Sequence, residues 1–298
     1  MTEHDSTVTM EEALALAAKH ESLGQLSEAE NIYRQVLNTD PNHPIALHML
    51  GILAHKVGKN DIAVQLITKA IDIKPEFPEA HNNLGIALQH QGRLDEAITN
   101  YQKAISLRSN YAEVYNNLGL ALFDSNRPEE AVSSYEKAIA LKPEYADAWN
   151  NLGNTYGGLK KPKDAVKSYQ KALAIRPNFV EAYYHLAIIF RGGGQPDKAV
   201  DSLQKALTIN PDYTPALLNL GTLYHELGND EDAIANFQLA ISRQPDFAEA
   251  HNNLGASLQR RGRFDEAMAS YRRAIAARPD FVEATNNLGL ALREIAMN

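Results

Sequence analysis

Residues 245–255 read Pro245-Asp246-Phe247-Ala248-Glu249-Ala250-His251-Asn252-Asn253-Leu254-Gly255, and the Leu-Gly pair that closes them returns throughout the chain. It stands at Leu50-Gly51, Leu84-Gly85, Leu118-Gly119, Leu152-Gly153, Leu220-Gly221 and Leu288-Gly289, every interval a multiple of 34 residues, with Leu186-Ala187 in the one remaining place. Self-similarity of this kind marks a repeat array, in which each unit buries its apolar stripe only against its neighbours. Outward from the pair, an alanine follows twelve residues after the Gly, at Ala63, Ala97, Ala131, Ala165, Ala199, Ala233 and Ala267, with Ala29 the first of the set. Four residues further comes Tyr33, Tyr101, Tyr135, Tyr169, Phe237 or Tyr271, replaced by Ile67 and Leu203 in two units. A proline closes each unit, from Pro41 and Pro75 through Pro143, Pro177, Pro211, Pro245 and Pro279, and only Ser109 departs.

The pattern inside a unit is helical. His81, Leu84, Gly85 and Leu88 fall within about 100° of one another on a helix turning about 100° per residue, which makes one packing stripe. Gly92-Arg93 supplies a turn, and Ile98, Tyr101, Ala104 and Ile105 form the stripe of a second helix. No stretch alternates as a strand does, so the fold expected is all-α, an elongated solenoid of helix-turn-helix units. Full units begin at 10, 44, 78, 112, 146, 180, 214 and 248, a half-unit fills 282–298, and residues 1–9 precede the array as an N-terminal extension.

Leu-Gly, Ala, an aromatic, Ala and Pro at these offsets are the residues of the tetratricopeptide repeat, which the chain resembles over all but its first nine residues. The resemblance implies a right-handed superhelix with a concave wall made by the first helices. The cadence of residues 245–255 is similar to that of the superhelical arrays preceding the catalytic region of O-GlcNAc transferases and of their bacterial relatives.

Composition limits what such an array can do. The 298 residues are 44 % apolar and 22 % charged, as in folded proteins. Twenty-nine Lys and Arg against 37 Asp and Glu give a net charge of −8, which argues against nucleic acid as partner. With no cysteine there is neither a disulfide framework nor a thiolate site. Met1-Thr2-Glu3-His4-Asp5-Ser6 is not a signal sequence and no apolar run reaches about 18 residues, so a cytoplasmic location without membrane insertion is expected.

The ends differ. Thr9 with Glu12 reads as a capping box, and Glu28 and Glu30 place charge on the second helix of the first unit. Leu288, Ala291, Leu292 and Ile295 instead keep the core pattern in the last helix, where a terminal cap is expected to be polar. The expectation is a C-terminus inside a longer array or protein, the alternative being an ordinary terminal helix.

Candidate binding residues lie just before Leu-Gly. Asn83, Asn117, Asn151, Asn219, Asn253 and Asn287 occupy six of the eight equivalent places, and Met49 and His185 the others. One residue earlier a second file runs through Asn82, Asn116, Asn150, Asn252 and Asn286, interrupted by His48, Tyr184 and Leu218. An interior Asn costs a helix roughly half a kcal/mol relative to Ala, so propensity does not explain the column. A carboxamide donates and accepts together and can pair with a peptide unit whatever its side chain. With first helices about 10 Å apart and an extended chain rising about 3.3 Å per residue, one rung would meet about every third ligand residue. The competing reading is that these amides bond to the adjacent repeat. Tyr183, Tyr184 and Leu218 suggest a side-chain pocket within such a groove, although large residues at the place of Tyr183 usually belong to the core. The acids Glu79, Glu113, Asp147, Glu181, Glu249 and Glu283 sit in first turns, where the helix dipole accounts for them. Phe77, Tyr111, Tyr145, Phe179, Tyr213, Phe247 and Phe281 precede each new helix as staples between units.

Signals for chemistry are missing. Gly157-Gly158 and Gly192-Gly193-Gly194 follow no strand and precede no Gly-Lys-Ser/Thr, the ten histidines are dispersed, and pairs such as Asp95-Glu96 begin helices. The sequence therefore predicts a non-enzymatic module without metal or cofactor, which binds an extended protein or peptide along a concave groove within a larger protein such as a glycosyltransferase. The alternative is a homo-oligomeric scaffold assembled through the C-terminal helix.

Overall fold

The computed structural model describes residues 9–297, so all of the N-terminal extension except Thr9 lies outside the described residues, as does Asn298. The described chain is helical in seventeen segments, without strands, and divides into units at residues 1–155 and 156–298. The first unit carries α1 (Met10–Ser22), α2 (Leu26–Thr39), α3 (Pro44–Lys56), α4 (Asn60–Ile73), α5 (Pro78–His90), α6 (Leu94–Leu107), α7 (Ala112–Asp124) and α8 (Pro128–Leu141). The division falls within α9 (Ala146–Gly158). The second unit carries α10 (Pro162–Ile175), α11 (Val180–Gly192), α12 (Pro196–Ile209), α13 (Thr214–Glu226), α14 (Asp230–Arg243), α15 (Ala248–Arg260), α16 (Phe264–Ala277) and α17 (Val282–Met297). Each unit is a stack of antiparallel helix pairs, a solenoid of repeats in which each helix packs mainly on its neighbours in the chain.

One contact recurs inside the pairs. The Gly of Leu-Gly lies against the aromatic ring sixteen residues later: a Cβ built on Gly85 would stand 2.6 Å from Cε1 of Tyr101, and the same 2.6 Å separates Gly119 from Tyr135, Gly221 from Phe237 and Gly255 from Tyr271. The alanines at the facing positions, Ala63, Ala97, Ala131, Ala233 and Ala267, are wholly buried. Small residues bring two helix backbones together and the ring fills the gap that they leave. In one unit Ala187 has its methyl where Leu203 replaces the ring, and a shallow cleft lined by both, with Ile188, Arg191 and Asn219, lies there. In α17 the Gly has no such partner: nothing lies within 4 Å of a Cβ on Gly289, and Leu290, Leu292, Ile295 and Met297 are exposed.

Chain reversals are set by backbone chemistry. The first helix of a pair ends in a left-handed residue, Gly at 24, 58, 92, 194, 228 and 262, and Asn126 (φ 60°) or Lys160 (φ 57°) elsewhere. Gly157 and Gly158 are the last residues of α9, and Gly192 is the last of α11; only Gly194 of these supplies the turn. Thr9 makes both bonds of its capping box, with its Oγ1 accepting from the Glu12 N–H at 3.2 Å and its own N–H donating to Glu12 Oε2 at 2.8 Å.

Two stability measurements follow. Gly119→Ala should lower the urea midpoint by the equivalent of about 1–3 kcal/mol, as overpacking does. Tyr135→Leu added to it should recover part of the loss, since that pair reproduces Ala187 and Leu203; additive losses would contradict the contact. Lys160→Gly should stabilise by about 0.5–1 kcal/mol, since a Cβ in the left-handed region costs more than glycine's entropy; a loss of stability would contradict it.

Candidate functional site

The two Asn files occupy different surroundings. Asn82, Asn116, Asn150 and Asn252 are buried, at 7, 5, 6 and 1 % exposure, whereas Asn83, Asn117, Asn151, Asn219, Asn253 and Asn287 are half-buried. Asn286 of the last helix is exposed. A single bond joins the files across successive first helices. Asn117 Nδ2 donates to Asn82 Oδ1 at 3.1 Å, Asn151 to Asn116 at 3.0 Å and Asn287 to Asn252 at 3.0 Å. Within α5, Asn82 Nδ2 also donates to Asn83 Oδ1 at 3.2 Å, and in α15 Asn252 Nδ2 reaches Asn253 Oδ1 at 3.3 Å and Glu283 Oε1 at 3.1 Å.

The inner file therefore does not line an open groove as expected. Close approach of consecutive first helices encloses Asn82, Asn116, Asn150 and Asn252, and a buried carboxamide must be bonded or cost about 1–3 kcal/mol. Among the described residues one such atom, Asn150 Oδ1, has no partner. In the Asn–Asn rungs the outer amide keeps capacity to spare, because each pairing uses one of its two N–H groups, whereas Asn219 Nδ2 donates both to Tyr184 and to the Pro215 carbonyl. Asn117 makes no other bond among the described residues and lines an open cavity of about 410 Å³ with Ile86, Gln89, His90, Tyr101, Leu120 and Asp124. The cavity wall is the face of α5 and α7 that carries these side chains, so first helices do present an open surface.

Other residue types take over rungs where Asn is absent. Asn83 Nδ2 meets His48 Nε2 at 2.9 Å, Asn219 Nδ2 donates to the Tyr184 hydroxyl at 3.3 Å, and Asn253 Nδ2 donates to Thr222 Oγ1 at 3.2 Å. Tyr184 stands edge-on to Tyr213, with centroids 5.6 Å apart, and edge-on to His185 at 5.3 Å, while His185 stacks on Tyr169 at 5.9 Å. Burial pulls the His185 imidazole below its ordinary value against the opposing pull of Glu181. Tyr183, Tyr184 and Tyr213 are partly buried against the core of α11–α13, so Tyr183 is a packing residue rather than a free pocket wall.

In three repeats a layer of charge joins the first helix to the exit of the second. Arg108 pairs with Glu79, Arg278 with Glu249, and Lys142 Nζ with Glu113 at 3.1 Å. The same cations cover the ring three residues on, Arg108 over Tyr111 at 4.9 Å, Lys142 over Tyr145 at 4.8 Å and Arg278 over Phe281 at 4.7 Å. Lys74 over Phe77 and Arg176 over Phe179 repeat the second half of the arrangement. The bond from Arg278 holds the Glu249 carboxyl below the usual range, and for Glu113 its own backbone N–H is the main cause, with Lys142 adding to it. Desolvation pushes Glu79 up, but its backbone N–H and Arg108 outweigh it and the net shift is downward. These acids thus do more than complement a helix dipole. A basic residue at 74, 108, 142, 176 and 278, always a multiple of 34 apart, was the available signal.

One polar cluster invites a catalytic reading and fails it on geometry. Ser257 Oγ lies 2.9 Å from His225 Nδ1, and the same Nδ1 lies 3.0 Å from Asp230 Oδ1. A nucleophile-activating relay needs the two ring nitrogens to face different partners, and Ser257 is wholly buried. Arg260 Nε adds a 2.6 Å bond to Asp230 Oδ2, completing a structural tie between α13, α14 and α15. His20 with Gln25 and His55 with Asn60 bridge the same turn in other repeats. Among the described residues no group of three or more His, Asp or Glu could hold a metal ion, and no helix is long and apolar enough to cross a membrane.

Comparison with known proteins agrees with this architecture. Five profiles described as tetratricopeptide repeat match, at 14–43 and 45–77, 76–144, 146–179 and 248–281, 168–201, and 190–258. The chain belongs to the tetratricopeptide repeat family. No curated protein matches its sequence. Among solved structures it is similar to MamA, with 30 % identity over 54 % of this chain and 95 % of that one and a TM-score of 0.51. It is similar also to YrrB, described as a TPR protein with an unusual peptide-binding site, at 27 % identity over 62 % of this chain and 96 % of that one, TM-score 0.53. A chain of the APC/C hetero-tetramer Cut9–Hcn1 shares the fold at 17 % identity and TM-score 0.64; the match covers 90 % of this chain and 52 % of that one, so the protein spans about half its length.

The His48 rung is open to titration. His48 is buried, edge-on to Phe77 at 4.7 Å, and burial pulls its imidazole down to about 4, with Glu79 pulling the other way. The unfolded chain, titrating near about 6.5, takes up a proton that the folded chain refuses, so folding stability falls as pH drops from about 6.5 towards 4. His48→Asn would restore the Asn-Asn rung seen in later repeats. Its stability relative to the parent chain, measured by urea unfolding, should rise by about 2 kcal/mol between pH of about 7.5 and about 4.5. Equal pH dependence in both proteins would show that His48 is not held neutral.

Proposed function

We propose that the protein is a non-catalytic interaction module holding an extended polypeptide against the open face of its first helices. The observation that carries this is the cavity lined by Ile86, Gln89, His90, Asn117, Leu120 and Asp124, where apolar side chains alternate with amide, imidazole and carboxylate groups. Asn117 brings to it an N–H and an Oδ1 beyond those used in the rung, enough to meet one peptide unit of a ligand. The outer Asn residues are then both spacers, fixing the distance between first helices, and contacts; the inner ones are spacers. Binding of this kind fits a rigid array, since a ligand that adds no strand or helix of its own needs a surface already in place. The likeness to YrrB, whose description names a peptide-binding site, supports the same reading.

The Asn-Asn-Leu-Gly cadence shared with O-GlcNAc transferase arrays supports a setting within a larger glycosyltransferase, where the module would deliver its polypeptide. Self-assembly is the second reading, supported by the exposed Leu290, Leu292 and Ile295 of α17. Light scattering across a concentration series separates the two: Leu292→Glu should dissolve an assembly formed through this helix, and a parent chain that stays monomeric removes it.

Selection from a displayed library of random peptides about 12 residues long, four rungs at about three residues each, tests the groove. Leu120→Arg should weaken the selected peptides at least about tenfold, the effect of placing a charge in an apolar contact. Asp124→Lys, at an exposed position of the same cavity, should change their affinity with an unaltered melting temperature. Failure to select any peptide, or binding indifferent to both variants, would remove the groove.

A further inference from the structure

In three repeats an acid of the first helix, a cation at the exit of the second and an aromatic three residues later form one closed unit: Glu79, Arg108 and Tyr111; Glu113, Lys142 and Tyr145; Glu249, Arg278 and Phe281. The repeat beginning at Val180 keeps the acid, Glu181, and the aromatic, Tyr213, but residue 210 in the cation's place is Asn. Asn210 is committed to its own turn, with Oδ1 accepting from the Asp212 N–H at 3.1 Å. Glu181 is exposed and has no ion pair among the described residues. The cations on neighbouring elements are engaged elsewhere: Lys205 with Asp201 at 2.7 Å, Arg191 with Glu226, and Arg243 with Asp212.

What surrounds the missing cation is suited to one. Glu181, Tyr184 and His185 share a helix face, being three and four residues apart. The Tyr184 and Tyr213 rings meet at 89° with centroids 5.6 Å apart. Asn219 fixes Tyr184 by bonding its hydroxyl. The charge of Glu181 is felt at Tyr213, whose hydroxyl is raised by burial first and by Glu181 next. A carboxylate beside aromatic faces attracts an ammonium or guanidinium group both by charge and by the ring quadrupole.

We propose that Glu181, Tyr184 and Tyr213 form a site for a Lys or Arg side chain of the bound polypeptide, which takes the place that the chain's own Arg108, Lys142 and Arg278 fill in other repeats. This rests on the groove reading and adds to it a position where the ligand's side chain, and not only its backbone, is selected. In the three closed repeats the acid is neutralised within the chain; here the charge is left for the partner.

The test uses the full chain with 13C-labelled tyrosine and three blocked tripeptides, Gly-X-Gly with Lys, Arg or norleucine at X. The Lys and Arg tripeptides should shift the ring signals of Tyr184 and Tyr213 saturably and bind at least about threefold more tightly than the norleucine one. Glu181→Gln should weaken them by at least about threefold. Asn210→Arg, which restores the internal cation, should abolish the response while preserving the melting temperature. Equal response to norleucine, or Lys binding that survives Asn210→Arg, would overturn the proposal. Silent tripeptides alongside selected library peptides would defeat this site alone and leave the groove; cationic tripeptides that bind where no library peptide is selected would leave a basic-side-chain site and defeat the groove.

Discussion

The contact of a glycine with an aromatic ring inside each repeat is the constraint on which the rest of the structure depends. Without a Cβ at Gly85, Gly119, Gly221 or Gly255, the helix backbone comes close enough for Tyr101, Tyr135, Phe237 or Tyr271 to pack directly against it. The ring stays buried, and its hydroxyl still finds an acceptor, as Tyr101 does in Gln89 and Tyr271 in Gln259. Because the contact fixes how the two helices of a pair sit, it also fixes which side of the first helix is left for the next repeat and which is left open. Where the ring is absent the small residue is Ala187 against Leu203 in one pair and Gly51 against Ile67 in another.

The Asn columns show how one residue type serves two demands. A carboxamide between first helices that approach closely would be costly if unbonded, and the pairing of residues 35 apart in sequence satisfies it. That pairing uses the inner amide's oxygen and one N–H of the outer amide. Any recognition by the column is therefore recognition by residues already held in place, which lowers the ordering cost of binding. His48 and Tyr184 substitute into the same scheme at the same 35-residue separation, and Thr222 supplies an acceptor 31 residues before Asn253, so the ladder is chemically varied.

Variation between repeats carries most of the functional information. The acid, cation and aromatic layer closes on itself in the repeats beginning at Pro78, Ala112 and Ala248, where it ties the two helices of a pair to the following connection. Exposed pairs of this sort contribute little stability, commonly about 0–1 kcal/mol each. Their removal at one repeat is therefore cheap, and what it leaves behind, a charge and two rings, is disproportionately useful for contact with a partner.

Repeat length, helix pairing, the small-residue contacts and the Thr9 cap were all determined by sequence, because they depend on residue spacing over a few turns or on a period of 34. Leu84-Gly85 with Ala97 and Tyr101 implies the pair without coordinates. The surroundings of the polar residues were not legible in this way. A helical wheel places Asn82 and Asn83 away from the apolar stripe but cannot say how close the next first helix comes, and that distance decides whether an amide is buried in a rung or open to a ligand. Whether Glu79 is satisfied by a helix dipole or by Arg108 likewise depends on where the second helix ends in space. Only tertiary structure settles such questions, since hydrogen bonding and burial are properties of distances between elements and the sequence specifies those distances only through the packing of every side chain between them.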